Sequence, residues 1–238
     1  MMNRIQKKIR RKQSADMEKE LTYKEIRKNK EINTLLERGN EVLGSLGYTD
    51  HSAAHAAKVA ETAGKILEKL GYSSREAELS RIAGYIHDIG NSVNRCDHAH
   101  TGAVLGWQIL RELGLPLKET AVIMSAVGNH DEKTGTAVDP ISAALILADK
   151  TDVRRNRVRN KIKASFDAHD RVNYAVLSSR LVVQKEKKVI QMELELDDAM
   201  CSVMDYFEIF LERMLMCRRA AEALGCRFKL TANGSKLC

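Results

Sequence analysis

Seven histidines occur in the 238-residue chain, and six of them fall between positions 51 and 130. Imidazole nitrogen binds divalent transition metals readily, and a neighbouring carboxylate completes a mixed nitrogen and oxygen donor set. His55 shares a helical stripe with Val59 and Ile66, and His87 follows Ala83 by four residues, so both rings should point inward. Asp88 sets a carboxylate beside His87 at a helix end. Burying an unpaired carboxylate is costly, and a divalent cation would satisfy Asp88 and both imidazoles together. Asp149 ends the apolar run Ala143 to Ala148. A helix dipole disfavours an acid there, so a cation again explains it better than core packing does. His98, at the start of a helical pattern, and His130, at the end of another, form a second candidate set.

These residues need helices to position them. Apolar residues recur at helical spacing over 24–46, from His55 to Leu70, and from Ser73 or Ser74 to Ile86. Gly47 and Gly71 act as stops, and Thr49 or Asp50 can cap the second helix. Further helices are expected over about 99–113, 117–130 and 140–151, and a charged one from Thr151 to Phe166. After about residue 172 the pattern changes. Tyr174 to Gln184 and Val189 to Leu196 alternate apolar and polar residues around Lys185 to Lys188, which predicts a β-hairpin. A long helix capped by Asp197 or Asp198 should run to Leu224, with a third strand at Cys226 to Thr231. The expected fold is mainly α. A basic arm covers 1–20, a helical domain 21–171, and a small α+β appendage 172–238.

Composition sets bounds. Hydrophobic residues at 44% and charged residues at 30% fit a globular chain with a real core. No apolar run reaches the roughly 20 residues that span a bilayer. The five cysteines form no CxxC pair and are odd in number, which points to free thiols and a cytoplasmic location. The net charge of +7 lies mostly in residues 1–12, whose six basic side chains face no acid; the rest of the chain is near +1. Nucleic-acid contact through that arm is an open but unfavoured reading. A homo-oligomer is compatible with the sequence.

The order His55, His87-Asp88, His98, His130, Asp149 resembles the HD superfamily of metal-dependent phosphohydrolases. The local words agree: HAAKVA at 55–60, AGYIHDIGN at 83–91, HAHTGA at 98–103, GNHD at 128–131 and ADKTD at 148–152. The resemblance covers about residues 50–155 and implies an HD-type helical bundle. It implies that His55, His87, Asp88 and Asp149 bind a first metal. His98 and His130 match the additional histidines of its two-metal branch, where Asp88 bridges both ions. Asn91 stands where several branches carry Lys, and no GYP-type word follows His130, which disfavours a cyclic-di-GMP phosphodiesterase. His51 is left open between supporting a ligand, contacting substrate and lying on the surface. His100, His169, Asp97 and Asp131 are expected at the surface or in loops.

One or two divalent ions (Fe, Mn, Zn, Co or Ni, with Mg also compatible) would then activate water against a phosphate ester. The expected substrate is small and phosphorylated, a nucleotide by preference. Asp88 is the central catalytic carboxylate. Lys150, then Arg154, are the preferred phosphate contacts, with Lys58 a weaker choice. Two other readings compete: a di-iron oxygenase on the same fold, and a nucleotide-sensing or interaction module without turnover.

Overall fold

The computed structural model describes residues 20–237. Nearly all of the expected basic arm lies outside the described residues. Nine α-helices among the described residues carry the fold: α1 (Tyr23–Ile26), α2 (Lys30–Ser45), α3 (Ala53–Leu70), α4 (Ser74–Ile86), α5 (His98–Glu112), α6 (Leu117–Gly128), α7 (Pro140–Lys150), α8 (Ala168–Ala175) and α9 (Val203–Ala223). A four-stranded sheet follows α8. It comprises β1 (Val176–Gln184), β2 (Val189–Leu196), β3 (Arg227–Ala232) and β4 (Ser235–Lys236), in that spatial order. The chain is therefore mainly α, as its patterning predicts.

The helix expected over 24–46 is two helices. Thr22 and Glu25 form a capping box around α1, and Asn29 then takes an extended conformation and accepts from Ile32 N at 3.0 Å to start α2. α2 buries Ile32, Leu36, Gly39 and Leu43 along one stripe. α4 starts on a Ser73–Glu76 capping box. α7 starts on Asp139 with Pro140 at its first position. Every residue from Ile141 to Ala148 is buried, so α7 is the central helix of the bundle; it packs on α3, α4, α6 and α9.

The charged helix expected from Thr151 to Phe166 does not form. That stretch is irregular, with short 3-10 turns at Arg155–Arg157 and Lys163–Ser165. Its arginines are engaged elsewhere. Arg155 donates to Tyr174 O (2.5 Å) and Asp197 Oδ2 (2.9 Å), and Arg157 to Asp50 O (2.9 Å) and Asp152 O (2.7 Å). Arg159 donates to Tyr48 O at 3.0 Å and also contacts Asn40. Tertiary partners override local helix propensity here.

α8, which had no counterpart in the sequence reading, takes Tyr174 and Ala175 out of the expected strand. β1 and β2 pair antiparallel, α9 crosses over, and β3 returns parallel to β2. Ser202, with Asp205, caps α9, rather than Asp197 or Asp198. One face of α9 packs on α7 and β3. Most of the buried apolar residues form one continuous cluster from Tyr23 to Ala232.

Two glycines let the site-bearing elements meet. A Cβ on Gly84 would lie 2.7 Å from Ala60 Cα, so this glycine lets α4 approach α3 closely. A Cβ on Gly90 would lie 2.0 Å from His98 O and 2.5 Å from Gly102 N. That crossing lays the turn after α4 on the first turns of α5 and sets His98 beside Asp88. Gly90→Ala should therefore destabilise the fold by about 2 kcal/mol or more through overpacking. Gly128→Ala, whose added methyl meets only Ala103 Cβ at 3.6 Å, should leave the chemical denaturation midpoint almost unchanged. Equal midpoints for the two variants would contradict the crossing.

Candidate metal centre

Five separate elements supply the cluster. His55 comes from α3, His87 and Asp88 from the end of α4, His98 from the first turn of α5, His130 from just beyond α6, and Asp149 from the end of α7. The four histidines and Asp88 are buried, and the Asp149 side chain is 12% exposed.

The histidines share one orientation. Nδ1 of His87 donates to Gly84 O (2.8 Å), that of His98 to Arg95 O (3.1 Å), and that of His130 to Val127 O (2.6 Å). Nδ1 of His55 donates to Asp152 Oδ2 at 2.8 Å. A carbonyl can only accept, so each of those three rings carries a proton on Nδ1 and turns Nε2 inward, where its lone pair is free whenever the ring is neutral. His55 Nε2 and His87 Nε2 are buried with no hydrogen-bond partner.

The Nε2 atoms fall into two groups around Asp88. Asp88 Oδ2 lies 3.2 Å from His87 Nε2 and 3.9 Å from His55 Nε2. Asp149 Oδ1 closes that group at 3.4 Å from His55 Nε2 and 3.6 Å from His87 Nε2. Asp88 Oδ1 lies 3.6 Å from His98 Nε2 and 3.8 Å from His130 Nε2, and those two nitrogens are 3.1 Å apart. His98 and His130 thus bring two lone pairs together, an arrangement that a shared cation stabilises. The donor set of imidazole nitrogens and carboxylate oxygens, without cysteine, fits divalent transition cations.

Electrostatics agree. Burial pushes the Asp88 and Asp149 carboxyls up, but His87 beside Asp88, and Lys150 beside Asp149, hold them well below the usual carboxylate range. Burial works against charge on His87, yet Asp88 and Asp149 overcome it and raise its pKa to about 10, so at neutral pH a proton sits on Nε2, the place a metal cation would take by displacing it. The position facing His87 Nε2 therefore demands positive charge strongly. His98 is pushed down to about 4, chiefly by burial, which leaves its lone pair available.

The surroundings contain residues that sequence reasoning passed over. Asp152 is buried and accepts from His55. The ADKTD word contained it, but nothing in its spacing marked its role. Glu132 lies 2.8 Å from Lys150 Nζ and 3.3 Å from Arg213 Nη2. Lys150 also lies 2.7 Å from Asp149 Oδ2. Arg154, expected to reach the substrate, instead grips Asp152 (Nε–Oδ1 2.8 Å, Nη2–Oδ2 3.0 Å) and does not line the cavity over the cluster. Lys58 is also absent from that lining. His51 does line it; its Nδ1 donates to Thr49 O at 2.7 Å and its ring centroid is 5.5 Å from that of His55. His169, expected at the surface, is exposed but stands on the cavity rim, whereas His100 is exposed away from it. Asp131 accepts from Lys133 N in its loop and lies 3.8 Å from His98 Nδ1, and Asp97 precedes α5 with a left-handed backbone.

The cavity measures about 530 Å³. Its lining carries five carboxylates (Asp88, Glu132, Asp149, Asp167, Asp170) and five cations (Arg95, Lys133, Lys150, Arg157, Arg213). Divalent cations added to that balance give it a net positive charge and an appetite for anions. The described cysteines are all free, and no helix among the described residues is long and apolar enough to cross a membrane.

Comparison with known proteins identifies the family. The HD domain family model matches residues 53–171, half of the chain. The uncharacterized protein MJ1020 of Methanocaldococcus jannaschii is 32% identical over 202 residues, which is 75% of this chain and 77% of that protein. Ribonuclease Y of Oceanobacillus iheyensis is 27% identical over 175 residues, covering 66% of this chain but 31% of the enzyme. Ribonuclease Y of Deinococcus radiodurans is 30% identical over 155 residues, 59% of this chain and 26% of the enzyme. The match thus spans less than a third of either ribonuclease. The chain belongs to the HD domain family, a superfamily of metal-dependent phosphohydrolases.

Proposed function

We propose that the protein hydrolyses a small phosphate ester of nucleotide size at a two-cation centre. One observation carries this reading: the two oxygens of Asp88 face different pairs of imidazoles, the arrangement a bridging carboxylate needs. His55, His87 and Asp149 would hold one cation, His98 and His130 the other, and Asp88 would span them. Bound there, divalent cations supply Lewis acidity toward a phosphoryl oxygen and acidify water.

The chain's own groups do the rest. Lys150 uses two of its three protons on Asp149 and Glu132, which fixes Asp149 and leaves one proton for a substrate oxygen. Arg154 is not part of this reading, because Asp152 occupies its guanidinium. The cavity volume lies within the roughly 300–1,000 Å³ of small-molecule sites. Asp167 and Asp170 on its rim disfavour a long polyanion.

A screen of phosphorylated metabolites, nucleoside monophosphates and a short oligoribonucleotide with metal-reconstituted protein tests the reading. Release of inorganic phosphate from a small ester supports it. Cleavage of the oligoribonucleotide alone would move the substrate to RNA, and oxygen uptake by iron-loaded protein without phosphate release would replace hydrolysis by oxygenase chemistry. Asp88→Ala should abolish turnover and reduce bound metal while far-ultraviolet circular dichroism is unchanged; full activity in that variant removes Asp88 from the mechanism. Asp152→Asn should weaken metal binding by roughly 10- to 100-fold, because the partner that orients His55 loses its charge; a metal titration that matches wild type would deny Asp152 that role. Treatment with a chelator should stop turnover, and Mn²⁺ or Fe²⁺ should restore it.

A further inference from the structure

The cations around the cavity are not equivalent. Lys150, Arg157 and Arg213 each have a carboxylate within 4 Å. Lys133 is exposed. Arg95 is half-buried in the loop before α5 and has no carboxylate at ion-pair distance among the described residues. Its Nη1 lies 3.3 Å from His98 Nε2 and 3.4 Å from Asn91 Oδ1, and its Cζ is 5.5 Å from the centroid of the Tyr48 ring.

Two contacts of Arg95 act on the same histidine in opposite senses. Its carbonyl accepts from His98 Nδ1 and thereby fixes the bare lone pair on Nε2. Its guanidinium then donates to that lone pair. The Nε2 lone pair cannot serve this donor and a metal cation at once, and a divalent cation repels the guanidinium. Asn91 and Tyr48 keep the displaced group at the cavity wall, where its fork of N–H donors suits two oxygens of one phosphoryl group.

We infer that Arg95 is the substrate's anion anchor: its guanidinium rests on His98 and transfers to the phosphate oxygens when a cation takes the His98–His130 pair. The identity of the anion rests on the phosphohydrolase reading. Anion binding is then gated by occupancy of the second cation position, so the site captures substrate only when the centre is complete. The side chain can be changed without touching the carbonyl that orients His98, which separates its role from support of the histidine.

The test uses the full chain as wild type, Arg95→Gln, Arg95→Lys and Lys133→Gln. Mn²⁺ is titrated by calorimetry, and dilute inorganic phosphate is then titrated into metal-free and Mn²⁺-loaded protein. Arg95→Gln should bind as many Mn²⁺ ions as wild type, the second at least as tightly. Its phosphate affinity in the loaded state should fall roughly 10- to 100-fold. Arg95→Lys should recover part of that loss, and Lys133→Gln should show little of it. In metal-free protein, wild type and Arg95→Gln should bind phosphate equally weakly. Unchanged phosphate affinity in Mn²⁺-loaded Arg95→Gln overturns the anchor alone. Loss of one Mn²⁺ ion from that variant also overturns it, because the guanidinium would then be supporting His98. Equal losses in the Arg95 and Lys133 variants would reduce the effect to diffuse charge and overturn it too. Wild-type protein that takes up Mn²⁺ but neither binds phosphate nor hydrolyses any ester overturns the phosphohydrolase reading, and the anchor with it.

Discussion

Convergence of imidazole nitrogens and carboxylate oxygens in a buried space is the constraint on which the rest of the structure depends. His98 Nε2 and His130 Nε2 are 3.1 Å apart, and neither ring can donate to the other while Nδ1 holds the proton. His55 Nε2 and His87 Nε2 are buried against the oxygens of Asp88 and Asp149 without a well-formed hydrogen bond. Buried polar atoms left this way cost on the order of 1–3 kcal/mol each. A fold that assembles several of them around two carboxylates maintains that cost only where a cation offsets it. A cation bound here would couple metal affinity to folding.

The scaffold meets the constraint with a repeated local device. His87, His98 and His130 each donate Nδ1 to the carbonyl three residues earlier: Gly84, Arg95 and Val127. Gly84 and Val127 lie in the last turns of α4 and α6, where carbonyls lack an intrahelical partner. Each ring therefore satisfies its own helix end and fixes its own tautomer in one contact. His55 lies within α3, where carbonyls are already engaged, and it uses the Asp152 carboxylate instead. The close approaches at Gly84 and Gly90 bring these separately prepared rings together.

Much of this was legible in the sequence. Helical periodicity located α3 to α7 within a few residues, and alternation located the hairpin. The motif order gathered the same six side chains that the structure brings together. Part of what stayed hidden shares a physical cause. The arginines from 155 to 159 looked like the face of a helix because their main partners are backbone carbonyls of Tyr174, Asp50, Asp152, Tyr48 and Asn40. A carbonyl belongs to every residue and leaves no mark in a sequence. Arg154 has a different reason: the helix expected to aim it does not form, and its guanidinium turns to the Asp152 carboxylate instead. Glu132 and Arg213 are 81 residues apart, and neither belongs to a motif that would pair them.

The three acids around the centre show how positive side chains can sit beside it without defeating it. Asp149 gives Oδ2 to Lys150 at 2.7 Å and keeps Oδ1 for His55 and His87. Asp152 takes both His55 and Arg154 on Oδ2, with Arg154 Nε also 2.8 Å from Oδ1. Asp88 receives Asn91 Nδ2 on Oδ1 at 2.8 Å, a neutral donor where the others have a charge. A carboxylate bound on one oxygen cannot rotate freely, so its other oxygen stays aimed. A formal charge partner on Asp88 would compete with cations on both sides of the centre, because both of its oxygens face imidazoles. An amide orients it without adding charge. Glu132 extends this logic outward, since it holds Lys150 from one side and Arg213 of α9 from the other. The orientation of Asp149 is thereby tied to the helix that joins β2 to β3, and the C-terminal segment becomes part of what keeps the centre in shape.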